Sequence, residues 1–221
     1  MKPLLMLALL AAACDPPRRK DIIVSDPPEG PPITVRFADD FQRAELGPDW
    51  YATGGNYQIV DGALSTKGGK NHPLWLRRKL PPAAVIEFDA WSNTTEGDIK
   101  VELYGDGRSY DPDEGAYQAT GYVLVFGGWK NSKSQIARQD EHGSDVAVEP
   151  TGLKLEPRRH YHFRIERRGG LIDWSLDGQP FLRYQDPKPL SGPGNAYFAI
   201  TNWMADVWFD DLVIAPLGPV R

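Results

Sequence analysis

From residue 33 onward, no stretch of this chain keeps apolar residues at helical spacing. Short runs that alternate apolar and polar positions are cut instead by Gly, Pro, Asn or Asp. Alternation at period two puts successive side chains on opposite faces of a strand, and the punctuating residues are those that tight turns require. "AVIEFDAWS", "DIKVELYG", "TGYVLVFGG", "YHFRIERR" and "DVWFDDLVI" are the clearest of about a dozen such runs. Gly169-Gly170 and Asp177-Gly178 join three runs into a meander over "RIERRGGLIDWSLDGQPFLRY", and Asp61-Gly62 marks a further hairpin. Helices do not alternate with the strands, which excludes a parallel βαβ architecture. The expectation is all-β, an antiparallel two-sheet sandwich or a barrel.

A length of 221 residues suits one such domain plus a tail. Seven Trp, nine Tyr and eight Phe supply amphipathic side chains for sheets and ligand platforms. With 25 basic residues against 30 acidic ones and a net charge of -5, there is no electrostatic ground for a nucleic-acid partner.

The first residues, "MKPLLMLALLAAACDPP", have the anatomy of a signal peptide: Lys2, an apolar stretch from Leu4 to Leu10, and the small residues Ala11 to Ala13. This stretch is too short to span a bilayer as a helix. Its end resembles a bacterial lipobox, with Ala11 where that motif usually carries Leu. The resemblance implies a leader over 1–13 and lipidation of Cys14, the single cysteine, which also rules out an intramolecular disulfide. Residues 14–32 carry three proline pairs, a composition that favours an extended, semi-rigid tether, and the domain is expected over 33–221. A lipid-anchored protein of the bacterial cell envelope is therefore expected, joined to the membrane only through its lipid.

The order of "FADDFQRAELGPDW", "YQIVDGALST", "AVIEFDAWS", "IDWSLDGQPF", "AYFAITNW" and "VWFDDLVI" resembles a concanavalin A-like jelly roll of the lectin and glucanase superfamily. Its pattern is similar to that of the bacterial 3-keto-disaccharide hydrolase and laminin-G-like domains. The resemblance covers roughly Val35 to Ala215 and implies the fold; its activities are so diverse that function must be argued from a site.

Alternation over 84–91 directs Glu87, Asp89 and Trp91 outward, and over 99–104 it does the same for Lys100, Glu102 and Tyr104. If these strands pair, carboxylates flanked by Trp91 and Tyr104 form a sugar platform, since aromatic faces stack on a pyranose and carboxylates accept from its hydroxyls. The alternative is a solvated face with cross-strand pairs such as Glu87 with Lys100. Laminarinase-type relatives carry Glu-x-Asp-x-Glu on one strand; here Glu87-Phe88-Asp89-Ala90 fits, but Trp91 holds the fifth position. A retaining hydrolase needs a second carboxyl, so that mechanism is broken unless Glu96 or Glu102 substitutes.

Trp129, in a glycine-bracketed turn, and Trp203, at the end of a strand, are further candidate sugar contacts. The resemblance also implies a structural calcium between the first and last strands, at Asp40 and Asp210. The loop "GDGRSYDPDEG", with Asp106, Asp111, Asp113 and Glu114, is a second acidic candidate. His160 and His162 lack the further donors that zinc needs. Taken together, the residues point to a carbohydrate-binding module with no required cofactor and a saccharide or envelope glycan as partner. A saccharide hydrolase is the first alternative and a structural envelope lipoprotein the second.

Overall fold

The computed structural model describes residues 30–111 and 116–218. Cys14, the leader, most of the tether, and Asp113 and Glu114 lie outside them. Among the described residues, seventeen strands follow in chain order. The first nine are β1 (Phe37–Asp39), β2 (Trp50–Ala52), β3 (Gln58–Val60), β4 (Ala63–Ser65), β5 (Leu74–Leu76), β6 (Ala84–Ser92), β7 (Ile99–Gly105), β8 (Tyr110–Asp111) and β9 (Ala116–Tyr117). The rest are β10 (Tyr122–Gly127), β11 (Lys133–Arg138), β12 (Val146–Val148), β13 (Tyr161–Arg168), β14 (Leu171–Leu176), β15 (Gln179–Gln185), β16 (Tyr197–Thr201) and β17 (Val207–Pro216).

They build an antiparallel sandwich. The first sheet runs β15-β14-β13-β6-β17-β4-β3, with β1 also on β17; the second runs β12-β11-β10-β7-β16-β5-β2. β8 and β9 form a separate small hairpin. The turns at Gly169-Gly170, Asp177-Gly178 and Asp61-Gly62 join paired strands as their residue types require.

Ile86 and Phe88 of β6 meet Ile99, Val101 and Leu124 of the second sheet in one apolar core, where Phe88 stacks on Phe163 with ring centroids 4.7 Å apart. Each large apolar side chain buried there contributes about 2 kcal/mol.

Two features depart from the sequence expectation. β6 and β7 are not neighbours: β6 lies between β13 and β17, whereas β7 lies between β10 and β16 in the opposite sheet. Each has one apolar face, and that demand is met equally well by facing sheets as by adjacent strands. The second departure is β7, whose seven residues are all buried although its sequence alternates. Its inner face meets the core, and its outer face is covered by the excursion between β7 and β10.

Candidate functional site

The outer face of the first sheet carries the opening motif. Glu87, Asp89 and Trp91 point outward as expected, but their partners come from β13 and β17. Arg164 donates to Glu87 Oε1 at 2.7 Å and also bonds Glu166, while His162 Nδ1 sits 2.7 Å from Asp89 Oδ1. His160 lies flat on the Trp91 indole, centroids 4.0 Å apart, and Trp208 stacks 6.0 Å away on the same ring. Glu87 is thus engaged by a guanidinium and Asp89 by an imidazole, and a second imidazole lies on the indole face that a sugar ring would use.

Glu102 and Tyr104 correct the expectation of exposure: both are buried. Glu102 Oε1 accepts from Ser109 Oγ and the backbone N–H groups of Thr120 and Gly121, and Oε2 accepts from the Tyr117 hydroxyl. Burial pushes the Glu102 carboxyl above its usual range despite these donors, and it pushes the Tyr117 phenol well up as well. The left-handed backbone at Tyr104 (φ 55°) turns its ring inward, under the Arg167 guanidinium at 3.8 Å, and its hydroxyl donates to Pro81 O. Neither residue can join Glu87 and Asp89, so the sugar platform expected from paired β6 and β7 does not form.

A cleft of about 480 Å³ opens instead beside the second sheet, within the range of ligand pockets. Trp129, from the turn between β10 and β11, and Trp203, from the turn between β16 and β17, both line it. Asn71, Asp98, Lys100 and Glu141 supply polar groups. Lys100 Nζ donates to Asn71 Oδ1 at 2.9 Å and to Glu141 Oε2 at 3.2 Å. Asp98 Oδ2 accepts from the Trp203 backbone N–H at 3.0 Å, which fixes that turn.

Trp129, Lys130 and Asn131 all adopt left-handed backbone (φ 51°, 58° and 58°), a conformation costing about 1 kcal/mol or more per non-glycine residue. The surroundings hold them there. The Asn131 side chain donates to Leu155 O at 2.7 Å and accepts from Leu155 N at 2.9 Å, and Ser132 Oγ donates to Trp129 O. The Trp129 indole meets His142 edge-on at 5.6 Å, with Lys133 Nζ 4.8 Å from its ring centroid. Gly97 permits the adjoining turn to close in: a Cβ there would lie 2.0 Å from Gly127 O, at φ +72°.

The seven tryptophans sort by place. Trp50, Trp75 and Trp174 are buried, Trp91 and Trp208 are half-buried in the stack, and only Trp129 (39 %) and Trp203 (53 %) are exposed. Among the expected sugar contacts, the fold brings these two together and separates them from the rest. Sequence reasoning missed Asn71, Asp98, Lys100 and Glu141 as site residues; they come from three separate segments, and only Asp98 and Lys100 lie close in sequence.

Asp40 follows β1 and Asp210 lies on β17, strands that do pair. Burial, together with the nearby charges of Asp211, Asp89 and Asp40, raises the Asp210 carboxyl, although it also accepts from the Asp211 N–H. Among the described residues, no three His, Cys, Asp or Glu side chains converge on one point. In the other acidic candidate, Asp106 Oδ1 is taken by the N–H groups of Arg108 and Ser109.

The same sandwich recurs among solved structures. A protein of unknown function with a galectin-like fold from Bacillus subtilis superposes with a TM-score of 0.65 at 15% identity, covering 85% of this chain and 96% of that one. The carbohydrate binding module CBM66 from Bacillus subtilis gives 0.56 at 12% identity, covering 85% and 99%. Domain 4 of AbnA, a GH43 extracellular arabinanase from Geobacillus stearothermophilus solved with arabinotriose, gives 0.55 at 16%, covering 84% and 92%. The chain has a concanavalin A-like jelly-roll fold. A family model described as "Farnesoic acid 0-methyl transferase" matches residues 109–211, less than half of this jelly roll's chain. No curated protein matches it.

Proposed function

We propose that this jelly roll binds a saccharide in the cleft between Trp129 and Trp203, without cleaving it, on an envelope lipoprotein anchored through Cys14. The observation that carries the reading is that the only two exposed tryptophans among the described residues line one cleft together with an amide, carboxylates and an ammonium group. Indoles stack on the apolar face of a sugar ring, and the polar groups meet its hydroxyls in both directions. The similar folds of a carbohydrate binding module and of an arabinanase domain solved with arabinotriose support the same reading.

The non-catalytic part rests on the cleft carboxylates being engaged: Asp98 by the Trp203 N–H, Glu141 by Lys100. Glu96 also lines the cleft, and this specific observation keeps hydrolysis as the second reading. A glycan array on the chain, with Trp129→Ala, Trp203→Ala and Trp91→Ala, tests the site. Binding lost in the first two variants and kept in the third is the expected result; no binding to any saccharide rejects the reading. New reducing ends on the retained saccharide would favour the hydrolase. For the anchor, metabolic labelling with a palmitate analogue is expected to fail in Cys14→Ser, and equal labelling of both chains rejects it.

A further inference from the structure

The cleft and the tether meet the sandwich at opposite ends. The tether enters at Pro32, which bridges to Lys79, and Ile33 N–H donates to Lys79 O, just after β5. Beside this junction lie the starts of β16 and β6, since Leu80 N–H donates to Ala196 O and Leu217 N–H to Ala83 O. The cleft takes its residues from the other ends of the same strands: Asn71 precedes β5, Glu96 and Asp98 follow β6, and Trp203 follows β16. The nine residues of β6 separate the two ends by about 30 Å, at roughly 3.3 Å per residue.

Resting on the Cys14 anchor and the saccharide cleft proposed above, we infer that the cleft is carried at the membrane-distal pole and engages a polysaccharide presented from outside the membrane that holds the protein. A sugar headgroup of that same membrane lies beyond the tether's pole, more than a full strand length from both indoles. The tether joins the pole that carries Lys188, which follows β15 where Asp186 N–H donates to Gly170 O in the β13–β14 turn. Lys130 marks the cleft pole, and both lysines are exposed.

The experiment uses the full chain coupled through Cys14, its single cysteine, to a maleimide lipid in phosphatidylcholine vesicles, so that natural lipidation is not required. A phosphatidylethanolamine carrying an N-hydroxysuccinimide ester on a polyethylene glycol linker of about 55 Å, the length of the extended tether at about 3.1 Å per residue, serves as the membrane-level probe. Modification is read by peptide mass spectrometry and normalised to a water-soluble ester. Lys188 is expected to be modified roughly tenfold more than Lys130, because the cleft pole lies about 30 Å beyond the linker's reach. Equal modification of both, or an excess at Lys130, overturns the inference. This outcome is independent of the Cys14→Ser labelling and of the glycan array, so failure of the polarity and failure of the anchor or of the cleft are told apart.

Discussion

The outer faces of the two sheets start from the same sequence pattern and end in different states. On the first, β6 and β13 set their outward polar residues directly opposite one another, Glu87 against Arg164 and Asp89 against His162, so each carboxylate finds its partner across the strands. On the second, Glu102 of β7 faces Val123 on one side and Ala199 on the other, so no cation can answer it across the sheet. The excursion between β7 and β10 folds over it and brings Ser109, Tyr117 and two backbone N–H groups. A polar sheet face can thus be closed by its neighbours in the sheet or by a loop above it. The loop-covered face leaves a cleft lined by Trp129, Trp203 and Lys100.

The comparison can be broken most severely at Glu102. Replacing it with Ala strands four donors in a dry site, and the expected loss is about 4 kcal/mol of stability by chemical denaturation. A loss below about 1 kcal/mol, the level of a surface pair, would remove the distinction between the two faces. Next in size is the cleft: Trp129→Ala or Trp203→Ala is expected to cost about 2 kcal/mol of saccharide affinity, some thirtyfold in titration calorimetry. Trp91→Ala, already covered by His160, is expected to leave affinity unchanged.

Acid titration separates paired from unpaired carboxylates by sign. Burial raises the Asp39 carboxyl, but hydrogen bonds from Arg43 and Trp50 outweigh it and hold the group below 3.8. Its stabilisation is present above that value and lost as pH falls through the lower folded one. Glu102, raised above 4.5, disfavours the fold once ionised, so its effect runs the other way: stability falls as pH rises from 4.5 through the folded value. Asp39→Asn and Glu102→Gln are therefore expected to change the slope of stability against pH in opposite directions, and slopes changed alike would refute the assignment. The smallest effect belongs to the first sheet's exposed ladder, where Glu87→Ala is expected to cost about 0.5 kcal/mol and to show salt sensitivity.

Much of the fold was legible. Three turn signals fixed three hairpins, and alternation identified the inward face of β6, because period two and turn chemistry are local properties. The candidate site was legible only in part. Trp129 could be read as a loop-tip indole from its glycine bracket and Trp203 from its position past a strand end, but nothing in their spacing joined them. Glu102 and Tyr104 were misread as exposed because alternation distinguishes the two faces of a strand and says nothing about what covers either one.

The sequence by itself determined the strands, the hairpin turns, the all-β class and the outward direction of Glu87, Asp89 and Trp91, since each follows from backbone geometry within a few residues. Only the tertiary structure decided that β6 and β7 face each other across the core, that His160 covers Trp91, and that two distant indoles share a cleft with Lys100 and Asp98. Those outcomes depend on which segments meet after a long loop closes. Local geometry does not encode that choice; it is settled by burying every apolar face and finding a partner for nearly every buried polar group at once.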